Sequence, residues 1–134
     1  MAIRMLRKLL CAGALSLPLF AAGAWAQNFA GEWETNMGAM HLEQDGDQVR
    51  GDYDMKDGRL HGEIRDGGLS GIWVQSSSAR RCYEERMGSN YWGRFRLHLS
   101  DDERYFHGRW SYCDGDPGSG GEWNGKRHHH RHHW

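Results

Sequence analysis

The sequence predicts an all-β protein: a small antiparallel up-and-down barrel of about eight strands, with a β-sandwich as the alternative. The first observation behind this is a repeated unit, a glycine two positions before an aromatic or apolar residue. It occurs in Gly31-Glu-Trp33, Gly51-Asp-Tyr53, Gly62-Glu-Ile64, Gly71-Ile-Trp73, Gly93-Arg-Phe95, Gly108-Arg-Trp110 and Gly121-Glu-Trp123. Residues two apart share one face of a strand, and the residue between them faces the other way. In every unit but Gly71-Ile-Trp73 the middle residue is charged, so one face is greasy and relieved by glycine while the other is ionic. The second observation is strict alternation over whole runs, and the third is hairpin turn chemistry, Asp-Gly or Gly-Gly, between them.

Taken in order, Ala30 to Met37 opens the series and Ala39 to Gln44 returns after Gly38, with Met40, Leu42 and Gln44 on one side. Asp45-Gly46 turns the chain into Gln48 to Met55, where Val49, Gly51, Tyr53 and Met55 face inward. After Asp57-Gly58, Arg59 to Asp66 places Leu60, Gly62 and Ile64 inside, and Gly67-Gly68 leads to Leu69 to Gln75. The stretch from Ser76 to Asn90 breaks the rhythm; its length marks it as a lid, an extra edge segment or a binding loop. Alternation resumes in Tyr91 to Leu99, with Trp92 on the outward parity, and continues in Arg104 to Tyr112 after the charged turn at Ser100 to Glu103. The Gly/Asp-rich loop Asp114 to Gly120 precedes a last strand, Gly121 to Arg127.

Three segments follow: a signal peptide at 1–26, a barrel domain at 27–127 and a histidine-rich tail at 128–134. Arg4, Arg7 and Lys8 make a basic start, Leu9 to Ala22 is apolar, and Ala24-Trp25-Ala26 has the small-x-small form of a cleavage site. The apolar run is short for a membrane span, which needs roughly twenty residues, so the expectation is export, periplasmic or secreted. Beyond the leader, Cys82 and Cys113 are the two cysteines left, and an even count in an exported chain favours a structural disulfide.

Charge excludes one class of partner. The whole chain has 17 Lys and Arg against 18 Asp and Glu; the leader holds three of the bases and none of the acids, leaving 14 against 18, a net of −4. A mildly acidic body with a basic tail is a poor nucleic-acid binder, which wants a positive face.

The candidate ligand-binding residues are the inward rings Trp33, Tyr53, Trp73, Phe95, Trp110 and Trp123. Glycine on a concave face relieves crowding, so two readings stand side by side: the rings interdigitate as a solid core, or they line a cavity.

The opening Gly31-Glu-Trp33 followed by a β-meander resembles the Gly-x-Trp start of the lipocalins, and the recurring Gly-x-Trp/Tyr strands are similar to those of the avidins. The resemblance implies an eight-stranded up-and-down barrel that holds a small ligand in its cup. It also implies that Trp33 closes one end under a basic side chain from near the last strand. Arg127 shares the parity of Trp123 and Gly125 and is placed to do this. The long loop and the Cys82–Cys113 pair depart from the avidin pattern.

The terminus carries His128, His129, His130, His132 and His133, five imidazoles within six residues. A flexible run of this kind chelates borderline metals such as Zn, Cu or Ni, or responds to pH as the rings protonate near pH 6.5. Weaker candidates are the oxygen-rich turn Asp114-Gly-Asp116-Pro-Gly-Ser119, which lacks the late Glu of a calcium loop, and the outward residues His41, His61, His98 and His107 with Arg94, Arg96 and Arg109. No nucleophile with a base, phosphate loop or paired inward carboxylates stands out. The expectation is therefore a non-catalytic exported module for a small hydrophobic or sugar-like ligand, its mouth gated by the Arg80 to Asn90 loop. The other expectation is a solid-core envelope interaction protein whose tail binds a transition metal.

Overall fold

A computed structural model describes residues 27–128. The expected leader at 1–26 and the imidazoles of His129, His130, His132 and His133 lie outside the described residues. Eight strands run in order: β1 (Gly31–Thr35), β2 (Gly38–Asp45), β3 (Gln48–Tyr53), β4 (Gly58–Arg65), β5 (Gly68–Gln75), β6 (Tyr91–Leu99), β7 (Tyr105–Trp110) and β8 (Gly121–Arg127). Each pairs antiparallel with the next, and β8 returns to pair with β1, so the sheet closes into a barrel rather than opening into a sandwich. Closure removes both unpaired edges.

The register explains the glycine repeat. Directly opposite an inward ring on one strand there stands, again and again, a glycine on its neighbour: Tyr53 faces Gly58, Trp73 faces Gly93, Phe95 faces Gly71, Phe106 faces Gly125, and Trp123 faces Gly108. A methyl group on Gly58 would stand 2.1 Å from the Tyr53 ring, and one on Gly125 would stand 2.3 Å from the Phe106 ring. Real carbon atoms do not approach that closely. The glycines leave room for rings of the adjacent strand, which lie across the bare backbone.

The two ends of the barrel differ. At one end the segment before β1 is tucked in: Phe29 is fully buried, its N–H donates to Gln44 Oε1 at 2.7 Å, and Trp33 Nε1 donates to the Phe29 carbonyl at 2.9 Å. The Arg127 guanidinium lies 4.3 Å from the centre of the Trp33 ring and donates to the carbonyls of Glu103, Ala30 and Asn28 at 2.8, 2.6 and 2.8 Å. Trp33 and Arg127 face one another across the β1–β8 seam, so this cation–π contact also fastens the closure. Met40, Leu42, Val49, Leu60, Leu69, Leu97 and Phe106 fill the barrel behind them.

A second, smaller core lies outside the barrel wall. Trp92 and Val74 point outward from β6 and β5, yet both are about 1 % exposed, because the 76–90 segment folds over them. Cys82 in that segment is bonded to Cys113 just beyond β7, and Trp92 Nε1 donates to the Glu84 carbonyl at 2.7 Å. Arg86 covers the indole at 4.6 Å. The outer face elsewhere is salt-bridged, Arg94 reaching Asp114 at 3.4 Å and Arg109 reaching Glu122 at 3.6 Å, while Arg96 hydrogen-bonds to the Asp66 backbone carbonyl at 2.7 Å. A charged outer wall is the inverse of a lipid-facing barrel. No helix among the described residues is long and apolar enough to cross a membrane.

On the same outer face, His41 sits between Glu32 and Glu43, with Glu32 as the closer partner. The hydrogen bond to Glu32, and then that to Glu43, raise the imidazole above its ordinary value of 6.5. A raised folded-state pKa contributes stability that is complete below the unfolded value and is lost as pH rises through the folded one. NMR titration of His41 is therefore expected to show a midpoint above 6.5, and Glu32→Gln should bring it back down. An unchanged midpoint in Glu32→Gln would mean that this pair is open in solution.

Candidate functional site

The end opposite Arg127 is not filled. It is bounded by the β1–β2, β3–β4, β5–β6 and β7–β8 connections, and there the barrel keeps a cup of about 450 Å³. That volume falls within the range of small-molecule sites. The walls are Tyr53, Trp73, Trp110, Tyr112 and Trp123, and the rim comprises Met37, Met55, Lys56 and Ser77 to Ala79. Four of the six rings singled out from the sequence, Tyr53, Trp73, Trp110 and Trp123, are brought together here. Trp33 and Phe95 are placed elsewhere, Trp33 under Arg127 at the plugged end and Phe95 in the packed core beneath Trp123. The interior thus has both characters weighed above, solid below and hollow above.

The cup is rigidly built. Trp73 and Trp110 meet edge to face with centroids 5.9 Å apart, Trp110 and Tyr112 at 5.0 Å, and Tyr53 and Trp123 at 5.0 Å. Such pairs contribute roughly 0.5–1.5 kcal/mol each beyond burial, which fixes ring orientation. Trp73 Nε1 donates to the Ser111 carbonyl at 3.1 Å, Tyr53 Oη donates to Gln75 Oε1 at 3.0 Å, and Gln75 Nε2 donates to the Ser77 carbonyl at 2.9 Å. Burial pushes the Tyr53 phenol well above its ordinary pKa, so it stays neutral. Two donors are left over: Nε1 of Trp110 and Nε1 of Trp123 are buried and have no hydrogen-bond partner. Buried N–H groups are nearly always paired, and here both orphans belong to rings that line the cup.

Two residues of the cup face inward as the alternation predicts but lie beyond the ends of the strands expected to carry them. Tyr112 follows the end of β7 at Trp110, and Met55 lies in a single 3-10 turn, Met55–Asp57, beyond the end of β3. Neither Lys56 nor the Ser77 to Ala79 run carries an aromatic or alternating signal, and their place at the rim comes from the pairing of β3 with β4 and of β5 with β6. The 76–90 segment is divided in its task. Its first residues edge the cup, while Cys82 to Asn90 lie on the outer wall over Trp92, held there by the disulfide, and do not cover the mouth.

The weaker candidates take ordinary structural places. His98 and His107 are direct cross-strand partners on the outer face. Asp114 is engaged by Arg94 and Arg86, and Ser119 Oγ donates to the Asp116 carbonyl, as in a plain turn. Among the described residues no group of three or more His, Cys, Asp or Glu is arranged to hold a metal ion. His128, the first tail imidazole, is anchored to β1: its N–H donates to the Glu32 carbonyl at 2.8 Å and its ring lies 3.3 Å from Glu34.

The chain matches no protein-family model, no curated protein and no solved structure.

Proposed function

We propose that the protein is an exported, non-catalytic binding module whose aromatic cup takes one small, largely apolar molecule. The observation that carries this reading is a half-filled barrel: one end is plugged by Phe29, Trp33 and Arg127, and the other keeps about 450 Å³ between aromatic walls. A core that only had to be stable would collapse onto that space, since voids in packed interiors are destabilising. The relation to lipocalin- and avidin-like barrels rests on the same architecture and on the Trp33–Arg127 contact. A sugar is the poorer fit, because Gln75 and Tyr53 already spend their polar groups on one another and on Ser77. The Cys82–Cys113 bond suits an oxidising compartment.

The test is tryptophan fluorescence during titration with N-phenyl-1-naphthylamine, a neutral aromatic probe. Saturable quenching at one site per chain is expected. Trp110→Ala, at a half-buried wall position, should lower affinity about tenfold or more while the far-UV spectrum stays that of a β-barrel. Unsaturable binding, or binding indifferent to Trp110→Ala, would sink the cup reading and leave the surface-acting interaction protein in its place. For the tail, His128 leaves the barrel beside Glu32 and Glu34, so the imidazole run starts from an acidic patch that would favour a bound cation. Isothermal titration with Zn²⁺ before and after removal of residues 129–134 tests that second reading.

A further inference from the structure

The cup's mouth has one sign of charge. Of the described residues bounding the cavity, Lys56 is the charged one, and its ammonium makes no ion pair or hydrogen bond with the described residues. The Arg80 guanidinium lies 5.5 Å from the centre of the Tyr112 ring, a wall of the cup, and makes no ion pair with the described residues. The carboxylates near Lys56 in sequence are turned away: Asp54 accepts from the Ala39 N–H at 3.2 Å, and Asp57 borders a different surface groove with Arg59 and Arg81. In a chain whose body is acidic, two unpaired cations at the edge of an apolar hollow stand out.

Lys56 is also held in place. Its φ of 47° lies in the left-handed region that a side chain-bearing residue rarely enters. The neighbouring loop stabilises that conformation, because the Ser76 N–H and Oγ both donate to the Lys56 carbonyl, at 2.9 and 3.1 Å. The backbone of Lys56, in the β3–β4 turn, is thus tied to the β5–β6 loop at the rim. Deeper, the indole N–H groups of Trp110 and Trp123 are buried within the wall and do not open onto the hollow, so the rim carries the polar recognition. Lys56 and Arg80 therefore call for the same complement, a molecule that brings acceptor oxygens and negative charge.

Resting on the cup reading above, we propose that the ligand is an organic anion: a flat or chain-like apolar body inside the cup, with a carboxylate or sulfonate at the rim against Lys56 and Arg80. The aromatic walls alone would equally suit a quaternary ammonium, since rings attract cations. The rim decides against it: Lys56 bounds the cavity, Arg80 lies against the wall ring Tyr112, and none of the described residues that bound the cavity is a carboxylate.

A matched pair of probes separates the claims, 1-anilinonaphthalene-8-sulfonate and N-phenyl-1-naphthylamine, which differ by the sulfonate. The sulfonate probe is expected to bind severalfold more tightly at low salt, and the advantage should shrink in 1 M NaCl. Lys56→Gln should weaken it about three- to fivefold, the range for a solvent-accessible ion pair, with the neutral probe unaffected; Lys56→Arg should restore it. Lys56→Gln with Arg80→Gln should erase the preference. Equal affinity for the two probes with no effect of Lys56→Gln would overturn the anion claim while leaving the cup intact. Tighter binding of phenyltrimethylammonium than of either would also overturn it. If neither naphthalene probe binds, this inference and the cup reading fail together.

Discussion

Trp123→Ala is expected to lower the unfolding free energy by about 3–5 kcal/mol and to abolish binding in the cup. Trp123 is 1 % exposed and forms the boundary between the two halves of the barrel: Tyr53 packs on it from the cup at 5.0 Å, Phe95 from the core at 5.6 Å, and Gly108 lies directly across the strand pair. Removing the indole would join the hollow upper half to the packed lower half. It would also leave Tyr53 without the ring that orients it, so the Tyr53–Gln75–Ser77 chain at the rim would loosen as well. For a domain of this size about 1 kcal/mol corresponds to roughly 4–8 °C in melting temperature, so urea and thermal unfolding both read the effect easily. Trp123→Phe should recover most of the stability. A loss below about 1 kcal/mol for Trp123→Ala would mean that the floor is not packed and that the hollow extends through the barrel.

Loss of the Cys82–Cys113 bond is the second large effect. The bond closes a loop spanning 31 residues of sequence, and by chain entropy its removal is expected to cost about 2–4 kcal/mol. The structural consequence is local. The barrel ladder does not depend on the disulfide, because β5 and β6 pair over seven residue positions from Leu69–Leu97 to Gln75–Tyr91. The flap over Trp92 does depend on it. In a Cys82→Ser, Cys113→Ser variant the flap should lift, so that Trp92 becomes quenchable by iodide and hydrogen exchange rises across 81–90, while the strand amides stay protected. Binding of the sulfonate probe should weaken more than that of the neutral probe, because Arg80 sits two residues before Cys82 and loses its seat on Tyr112. Uniform loss of protection across all eight strands would show that the bond holds the barrel itself.

Much of the fold was legible because a strand is a local object. The period of two separates inside from outside without knowledge of any partner, and the turn dipeptides Asp45-Gly46 and Gly67-Gly68 mark the end of β2 and the start of β5 in the structure. The same local rule misplaces what departs from it. Met55 was expected to continue the third strand and instead lies in a turn, since Asp54, Lys56 and Asp57 leave the extended region, the last two with positive φ. Trp92 has outward parity and is nevertheless buried, because outward from the barrel is inward to the flap. An indole on a charged face, ten residues from a cysteine in an irregular loop, was the available signal for that second core.

The candidate site was legible only as a set of rings. Trp33, Trp123 and Trp110 occupy equivalent positions in the Gly-x-Trp unit, yet one plugs the base, one makes the floor and one lines the wall. Height along the barrel axis separates them, and height follows from the stagger accumulated over all eight pairings.

By itself, then, the sequence determined the all-β class, the number of strands, the face each side chain takes and the pair of cysteines available for bonding, all of which follow from residues within one strand or turn. Tertiary structure alone decided that β8 closes on β1, that Gly58, Gly71, Gly93, Gly108 and Gly125 make room for rings of neighbouring strands, and that Lys56 and Ser77 to Ala79 meet at one rim. These depend on register between segments far apart in the chain, and register is set by how well whole faces fit one another, which no single strand encodes.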